Sequence, residues 1–506
     1  MAYRTAKEIE AEMADLENQF RPVCVRFSLM DSVEGRPIHG LRIKGPVPLD
    51  YRPNVLITAG VHAREWAPPD ALLSFIRELL VAYTAKAPIV EPAFTYSDRG
   101  IPGGGTTTLN YFQYIVKAND VQNMVNNVVT YAIPMVNPDG RDFSLGVEAW
   151  WRKNRKSFNH WQLVKALGAT GGTYTLTFRG ATTTPIAFNA DATEITQALE
   201  LLTTVGPGNV VVDQPFPHPR DHATLVRFTG TVAAPYPLMI PDSSGLTGGA
   251  HRTVVVDWGD GVDINRNYKI AWQKEVYYSI AGAQSVYSSA TLDDPEAVQD
   301  YRGPDALSEV ETVNVADTMA IEGVDYYLDL HLFAGKILLP WALEDKQGTV
   351  STQWFGNQTW DRRRAGGGRQ DPPYKEWFPV NLWAQHNGLG TAMQTEIAAA
   401  AAPNAAESSY AVVEAGAGLY QCTGTGNDYD FSLQFLPDNR EGTEKFAMTF
   451  EAGDPDGFDG GFFPHMNTGQ YEKVARDIHG GIVGFLLQIV AWAAGGPLQP
   501  PPPQKH

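Results

Sequence analysis

Four stretches of this chain are too apolar to keep one face in water. NVLITA (Asn54 to Ala59), VVTYAIPMV (Val128 to Val136), YYLDLHL (Tyr326 to Leu332) and FAMTFE (Phe446 to Glu451) are predominantly apolar runs. Further strands are expected at Val23–Leu29, Leu41–Lys44, Lys336–Pro340 and Ala411–Glu414. Amphipathic segments run between them, at about Ala6–Gln19, Pro68–Tyr83, Ser308–Ala320, Pro379–Ala401 and Gly469–Ala493, the third opening with the capping-box spacing Ser308-x-x-Glu311. Strands of this kind need cover on both sides. The pattern therefore predicts a three-layer α/β/α fold with a mixed, mostly parallel central sheet, whose sites form at the carboxyl ends of the strands.

One segment breaks the rhythm. From 160 to 257 the text becomes Thr-rich and alternating, as in GGTYTLTF and GNVVVD, with one short helix expected around Ala192 to Leu202. It reads as an inserted small β-rich α+β domain, and it resembles a repeated domain found in phage structural proteins and bacterial surface proteins. The body of the fold would then be discontinuous, 1–159 and 258–495. Residues 496–506, GPLQPPPPQKH, form a proline-rich tail unsuited to a helix or a central strand.

The formal net charge of -18 argues against nucleic acid or an anionic membrane as partner. With two cysteines, Cys24 and Cys422, no disulfide framework is available, and both are expected as buried thiols. The charged opening, MAYRTAKEIEAEMADLENQF, has no signal-peptide core, and Gly481–Ala494 is expected to be too short to cross a bilayer. A cytoplasmic location is the default expectation.

GVHAREW (Gly60 to Trp66) follows the apolar run 54–59 at once. A strand ending in His62-x-x-Glu65 brings an imidazole and a carboxylate to one point above a sheet, where zinc accepts both. Taken alone the motif is weak. A third ligand is offered by His331, which closes YYLDLHL and so reaches the same edge of the sheet.

The sequence resembles the zinc metallocarboxypeptidases of the carboxypeptidase A and B type. The motifs recur in order: SVEGRPIHGLRI from Ser32, GVHAREW, PMVNPDG from Pro134, WWRKNR from Trp150, DINRN from Asp263, YRGPDALSE from Tyr301, DLHLF from Asp329, LYQCTGTGNDYDF from Leu419 and MTFE from Met448. The resemblance implies a peptide hydrolase holding one Zn2+ per chain through His62, Glu65 and His331. Glu451 matches the general base and acid, and Arg155 the arginine that stabilises the oxyanion. Asn265 and Arg266 match the pair that receives a free C-terminal carboxylate, and Tyr420 the tyrosine that closes over it. Arg64 and Arg152 match flanking arginines, and Asp263 a carboxylate that orients a zinc histidine.

In the family, the residue seven after the closing tyrosine floors the specificity pocket. Here it is Asn427, with Ala342, Cys422, Thr425 and Thr449 at other lining positions. An apolar or neutral end residue is expected over a basic one, unless Asp428 or Asp430 turns inward. The implied partner is a peptide or protein with a free C-terminus. Two alternatives stand beside this reading: a zinc-dependent amidase or cell-wall peptidase, and a non-catalytic phage or surface binding protein on the same fold.

Overall fold

The computed structural model describes residues 2–49, 51–98, 107–157, 160–214, 223–258, 260–290, 297–364, 374–436, 444–455, 461–466 and 468–495. The proline-rich tail from 496 lies outside them. The chain divides into two compact units, one of Met1–Asn154, Asp263–Ala290 and Arg302–His506, the other of Arg155–Val262 and Thr291–Tyr301.

In the first unit, eight strands among the described residues form one sheet. They are β1 (Cys24–Ser28), β2 (His39–Ile43), β3 (Asn54–Ala59), β4 (Val129–Ile133), β5 (Tyr326–Leu332), β6 (Lys336–Leu339), β7 (Ala411–Glu414) and β8 (Phe446–Ala452). Their spatial order is β1-β2-β4-β3-β5-β8-β6-β7. The central run β4-β3-β5-β8 is parallel, as is β6-β7; β1-β2, β2-β4 and β8-β6 are antiparallel.

The period of two along β5 and β8 sorts their side chains onto different faces. Tyr326 stacks on Phe446 and meets Phe485, while Phe450 lies under Gly481. These even-numbered residues face α6 (Val380–Ala400) and α8 (Gln470–Ala494), two helices that pack on each other along much of their length. The odd-numbered set, Tyr327, Asp329, His331, Thr449 and Glu451, turns the other way, towards the side of α7 (Gly426–Leu433). One face of the sheet is thus dry, and the opposite face carries a column of buried polar groups.

Helices α1 (Ala6–Phe20), α2 (Ala67–Ala85) and α5 (Val310–Ile321) stand within a few residues of their expected bounds. Three more, α3 (Ala118–Asn127), α4 (Pro138–Gly146) and α7, are additions to the sequence reading. The capping box at Ser308 does not form. Glu309 is the N-cap, with no side-chain bond; Ser308 donates to Glu309, and Glu311 instead accepts from the Asn154 amide at 3.1 Å.

Gly481–Ala494 is the second half of α8, which runs as expected from the sequence to within one residue at either end. Over Gln470–Ala494 the helix is long and apolar enough to cross a membrane by length and composition alone. Its polar positions are satisfied inside the protein: Asp477 accepts from Tyr410 and Lys473, and His479 pairs with Glu91. Two thirds of the apolar window, 67%, is buried within the fold, as befits a core helix.

The second unit is built on the long strand Gln162–Phe178, which pairs from Gln162 to Gly172 with Leu246–Asp257 and, at other points, with four further strands. Its helix, Ala192–Glu200, carries the capping box Asp191–Glu194. A separate core gathers around Leu176, Phe178, Leu199 and Phe228. Cys24 and Cys422, in the first unit, are buried free thiols.

Candidate metal centre and substrate cleft

β3 stops at Ala59, paired with Leu330 of β5. Gly60 then turns the chain with a φ of +69°, where a side chain would be strained and would press on Met135. His62 and Glu65 fall in this turn, before α2 opens with Pro68 and Pro69 in its first turn, where no amide hydrogen is needed. One register step beyond Ala59, β5 presents His331 opposite Glu451 of β8.

These placements bring three donors together. His62 Nδ1 lies 2.7 Å from Glu65 Oε1, and His331 Nδ1 lies 3.0 Å from both His62 Nδ1 and Glu65 Oε2. All three residues are buried, and their ligand atoms lie within 4.8 Å of one another. Each ring is held from behind. His331 Nε2 meets Asp329 Oδ2 at 2.7 Å and His62 Nε2 meets Asp263 Oδ1 at 3.3 Å, so both Nδ1 atoms turn to the shared point. Burial works against the charge of Glu65, but the two imidazoles outweigh it and hold the carboxyl far below its usual range. Two imidazoles and an ionised acid, converging on an adjoining cleft, fit zinc with a coordination position left over.

Asp329 was not singled out from the sequence. Its signal was nonetheless there, an acid two residues before the histidine on one strand and hence on the same face. A second group, Glu78, Glu91 and His479, also brings donors within 4.8 Å. It reads as an internal ion pair, since Arg476 Nε already lies 2.6 Å from Glu91 and both ring nitrogens of His479 have partners.

His62, Glu451, Asn265, Arg266 and Tyr420 line a single cleft, which is narrow, about 40 Å³. Arg266 ends the short turn Ile264–Arg266, capped by Asp263, whose Oδ1 accepts from the Asn265 amide at 2.9 Å. Burial disfavours the Asp263 charge, yet Arg152, Arg266 and His62 hold its carboxyl well below the usual range. Asn265 Oδ1 accepts from Gly426 N at 2.8 Å, tying this turn to the start of α7. Gly424 lies against the same turn with a φ of +70°, and a Cβ there would stand 2.1 Å from the Arg266 carbonyl oxygen. Arg266 Nη2 donates to the Tyr420 hydroxyl at 3.2 Å.

Burial pushes Glu451 up to about 7, against the opposing pull of His331. Arg152 lines the cleft with its Nε on Asp263 Oδ2 at 2.9 Å, which makes it a brace for the carboxylate behind His62. Arg64 lies over the Phe462 ring, 4.3 Å from its centroid, and burial followed by the neighbouring Arg152 charge draws its pKa down to about 10. Arg155 opens the second unit, where its guanidinium donates to the Trp258 carbonyl.

The far end of the cleft holds Ala342, Cys422, Thr425, Asn427 and Thr449. Asn427 Nδ2 reaches the Leu338 carbonyl at 3.4 Å. Asp428 accepts from the backbone amides of Ala342 and Leu343, at 2.8 and 2.9 Å, behind the lining. Asp430 is buried and also absent from the lining. Among the described residues that line the cleft, Glu451 is the one carboxylate.

The sequence profile of the zinc carboxypeptidases, peptidase M14, matches residues 9–97, 102–172 and 245–477, well over half of the chain. The chain belongs to the zinc carboxypeptidase family. Residues 173–244, in the second unit, fall outside the match. Over 154 residues the chain is 29% identical to mouse Carboxypeptidase A6, an alignment covering 30% of this chain and 27% of that protein. It is 26% identical over 159 residues to Zinc carboxypeptidase A 1 of Anopheles gambiae, covering 31% and 28%. The alignments thus span under a third of these curated relatives. Among solved structures, bovine thrombin-activatable fibrinolysis inhibitor, in complex with tick carboxypeptidase inhibitor, matches with a TM-score of 0.51 at 14% identity, over 97% of this chain and 98% of that one. A crystal structure of thrombin-activatable fibrinolysis inhibitor matches at 0.52, again with 14% identity, over 97% and 75%. At such identities the likeness is one of fold, and the fold is that of the zinc carboxypeptidases. Zinc is accordingly the metal that His62, Glu65 and His331 suit.

Proposed function

We propose that the chain is a zinc-dependent metallocarboxypeptidase that hydrolyses the C-terminal peptide bond of peptides or proteins and releases apolar or neutral residues. The observation that carries this reading is the shared cleft, lined by a guanidinium fit to grip a carboxylate, by His62 of the metal-ligand cluster and by a part-buried glutamate, Glu451. His62, Glu65 and His331 would hold zinc, which when bound would supply Lewis acidity for the scissile carbonyl. Arg266, with Asn265, receives the terminal carboxylate on its fork, as a lysine would not. Tyr420 then closes over that end group. Glu451 takes a proton from the attacking water and returns it to the departing amine. Arg155 is assigned the developing oxyanion on the strength of the family motif WRKNR, while Arg64 and Arg152 shape the positive field around the cleft.

The uncharged end formed by Asn427, Thr425 and Thr449 supports release of apolar or neutral residues, because a lysine or arginine side chain would meet no counter-charge there. Residues 160–257, within the second unit but beyond Arg155, are read as an added module of the phage or bacterial-surface repeat type, with no part in the chemistry. Profiling the amino acids released from a peptide mixture, with and without a zinc chelator, tests the whole assignment. Chelator-sensitive release of C-terminal residues supports it, and intact C-termini in zinc-loaded samples would sink it.

A further inference from the structure

Tyr287 is an exposed aromatic, 57% accessible, in a segment that neither the metal centre nor the carboxylate anchor uses. It is nonetheless placed with care. Its backbone amide donates to the Gln421 carbonyl at 3.0 Å, and the residue forms a parallel bridge with Cys422. Its ring lies 4.9 Å from that of Tyr420, tilted by 57°. Val286 is buried, and Lys274 Nζ donates to its carbonyl at 2.7 Å, which pins the segment from the other side.

Tyr420 is held by Arg266, whose Nη2 reaches its hydroxyl and whose guanidinium lies 5.7 Å from its ring centroid, by the apolar cluster of Leu338, Ala342, Ala415 and Cys422, and by the Tyr287 ring. An arriving carboxylate competes for the Arg266 donors, since a charge-assisted pair outbids a neutral hydroxyl. The Tyr287 ring, with the apolar cluster, then holds Tyr420 above the cleft.

We propose that Tyr287 is a positioning residue that backs Tyr420 and so sets the affinity for substrates with a free C-terminal carboxylate. The proposal rests on the carboxypeptidase reading above. It predicts an effect on binding rather than on the chemical step. Because most of the ring is in water, its removal leaves the fold intact, and an aromatic pair of this kind is worth about three- to tenfold in an equilibrium.

The test is a double-mutant cycle on the zinc-loaded full chain with a blocked dipeptide substrate. Tyr287→Ala should raise KM about three- to tenfold with kcat within about twofold, and Tyr287→Phe should restore the wild-type KM. In a Tyr420→Ala background, Tyr287→Ala should add nothing. An unchanged KM in Tyr287→Ala, or an equal rise in the Tyr420→Ala background, would overturn the role of Tyr287 while leaving the enzyme assignment standing. A zinc-loaded wild type that neither cleaves nor binds the dipeptide would overturn both together.

Discussion

Replacing Asp329 with alanine tests the metal centre without touching a ligand. Its carboxylate is buried and accepts from His331 Nε2 at 2.7 Å and from the Thr58 hydroxyl at 2.6 Å. The first bond fixes the imidazole tautomer that turns the Nδ1 lone pair towards Glu65 and His62. Without it the ring is free to rotate or to protonate the wrong nitrogen. Loss of such a partner typically weakens metal binding by about 10- to 100-fold, equivalent to about 1.4–2.7 kcal/mol. Alanine also strands a ring N–H in a dry setting, at about 1–3 kcal/mol, while the Thr58 hydroxyl keeps the Tyr327 hydroxyl as a partner at 3.0 Å.

The two effects separate in the assay. Competition with a chromophoric chelator reads the zinc Kd, while melting curves in zinc and in excess chelator read the fold. We expect the Kd to rise at least tenfold and the zinc-dependent gain in Tm to shrink with it, since that gain scales as RT ln(1 + [Zn]/Kd). A variant whose Tm falls equally in zinc and chelator, with a wild-type Kd, would reduce Asp329 to a packing role and refute the assignment of His331 as an oriented ligand.

Arg266→Lys keeps the charge but loses the fork, so kcat/KM for a peptide with a free C-terminus should drop about 10- to 100-fold, as steady-state kinetics will show. Asn427→Asp places a carboxylate at the neutral end of the cleft; release of C-terminal Lys and Arg should then rise at least about tenfold relative to Leu in a competitive peptide profile. Burial, opposed by Lys445, raises Asp430 to about 7. The folded state thus holds a proton there that the unfolded chain loses near pH 4, so this contribution is full below about pH 4 and is lost as pH rises through 7. Asp430→Asn should flatten that dependence, gaining on the order of 2 kcal/mol on the wild type between pH 5 and pH 8 in zinc-saturated urea titrations.

The sheet was legible because burial on both faces leaves an unbroken apolar imprint. All eight expected strands lie in it, most within two residues of their expected ends. Two of the missed helices were hidden by composition. α4 reads PDGRDFSLG, a turn by composition, and is helical because Asn137 accepts from Gly140 N and the proline sits in the first turn. In α3, ANDVQNMVNN, Asn is so frequent that only the buried trio Val121, Met124 and Val125 marks the inward face. Within the site, motif spacing pointed to His62, Glu65 and His331, but the work of Asp428 lay beyond any reading of spacing. Whether it entered the cleft or turned to the Ala342 and Leu343 amides depended on the path of a strand far away in sequence.

The ion pair between Arg152 and Asp263 joins residues 111 positions apart, on either side of the point where the second unit departs and returns. It acts as a stitch across that opening. Closing a flexible excursion costs only about 0.6 kcal/mol more each time its length doubles. With the stitch in place, a change of length within residues 160–257 carries little energetic penalty for the cluster of His62, Glu65 and His331. Such a chain can change what it carries without disturbing that cluster.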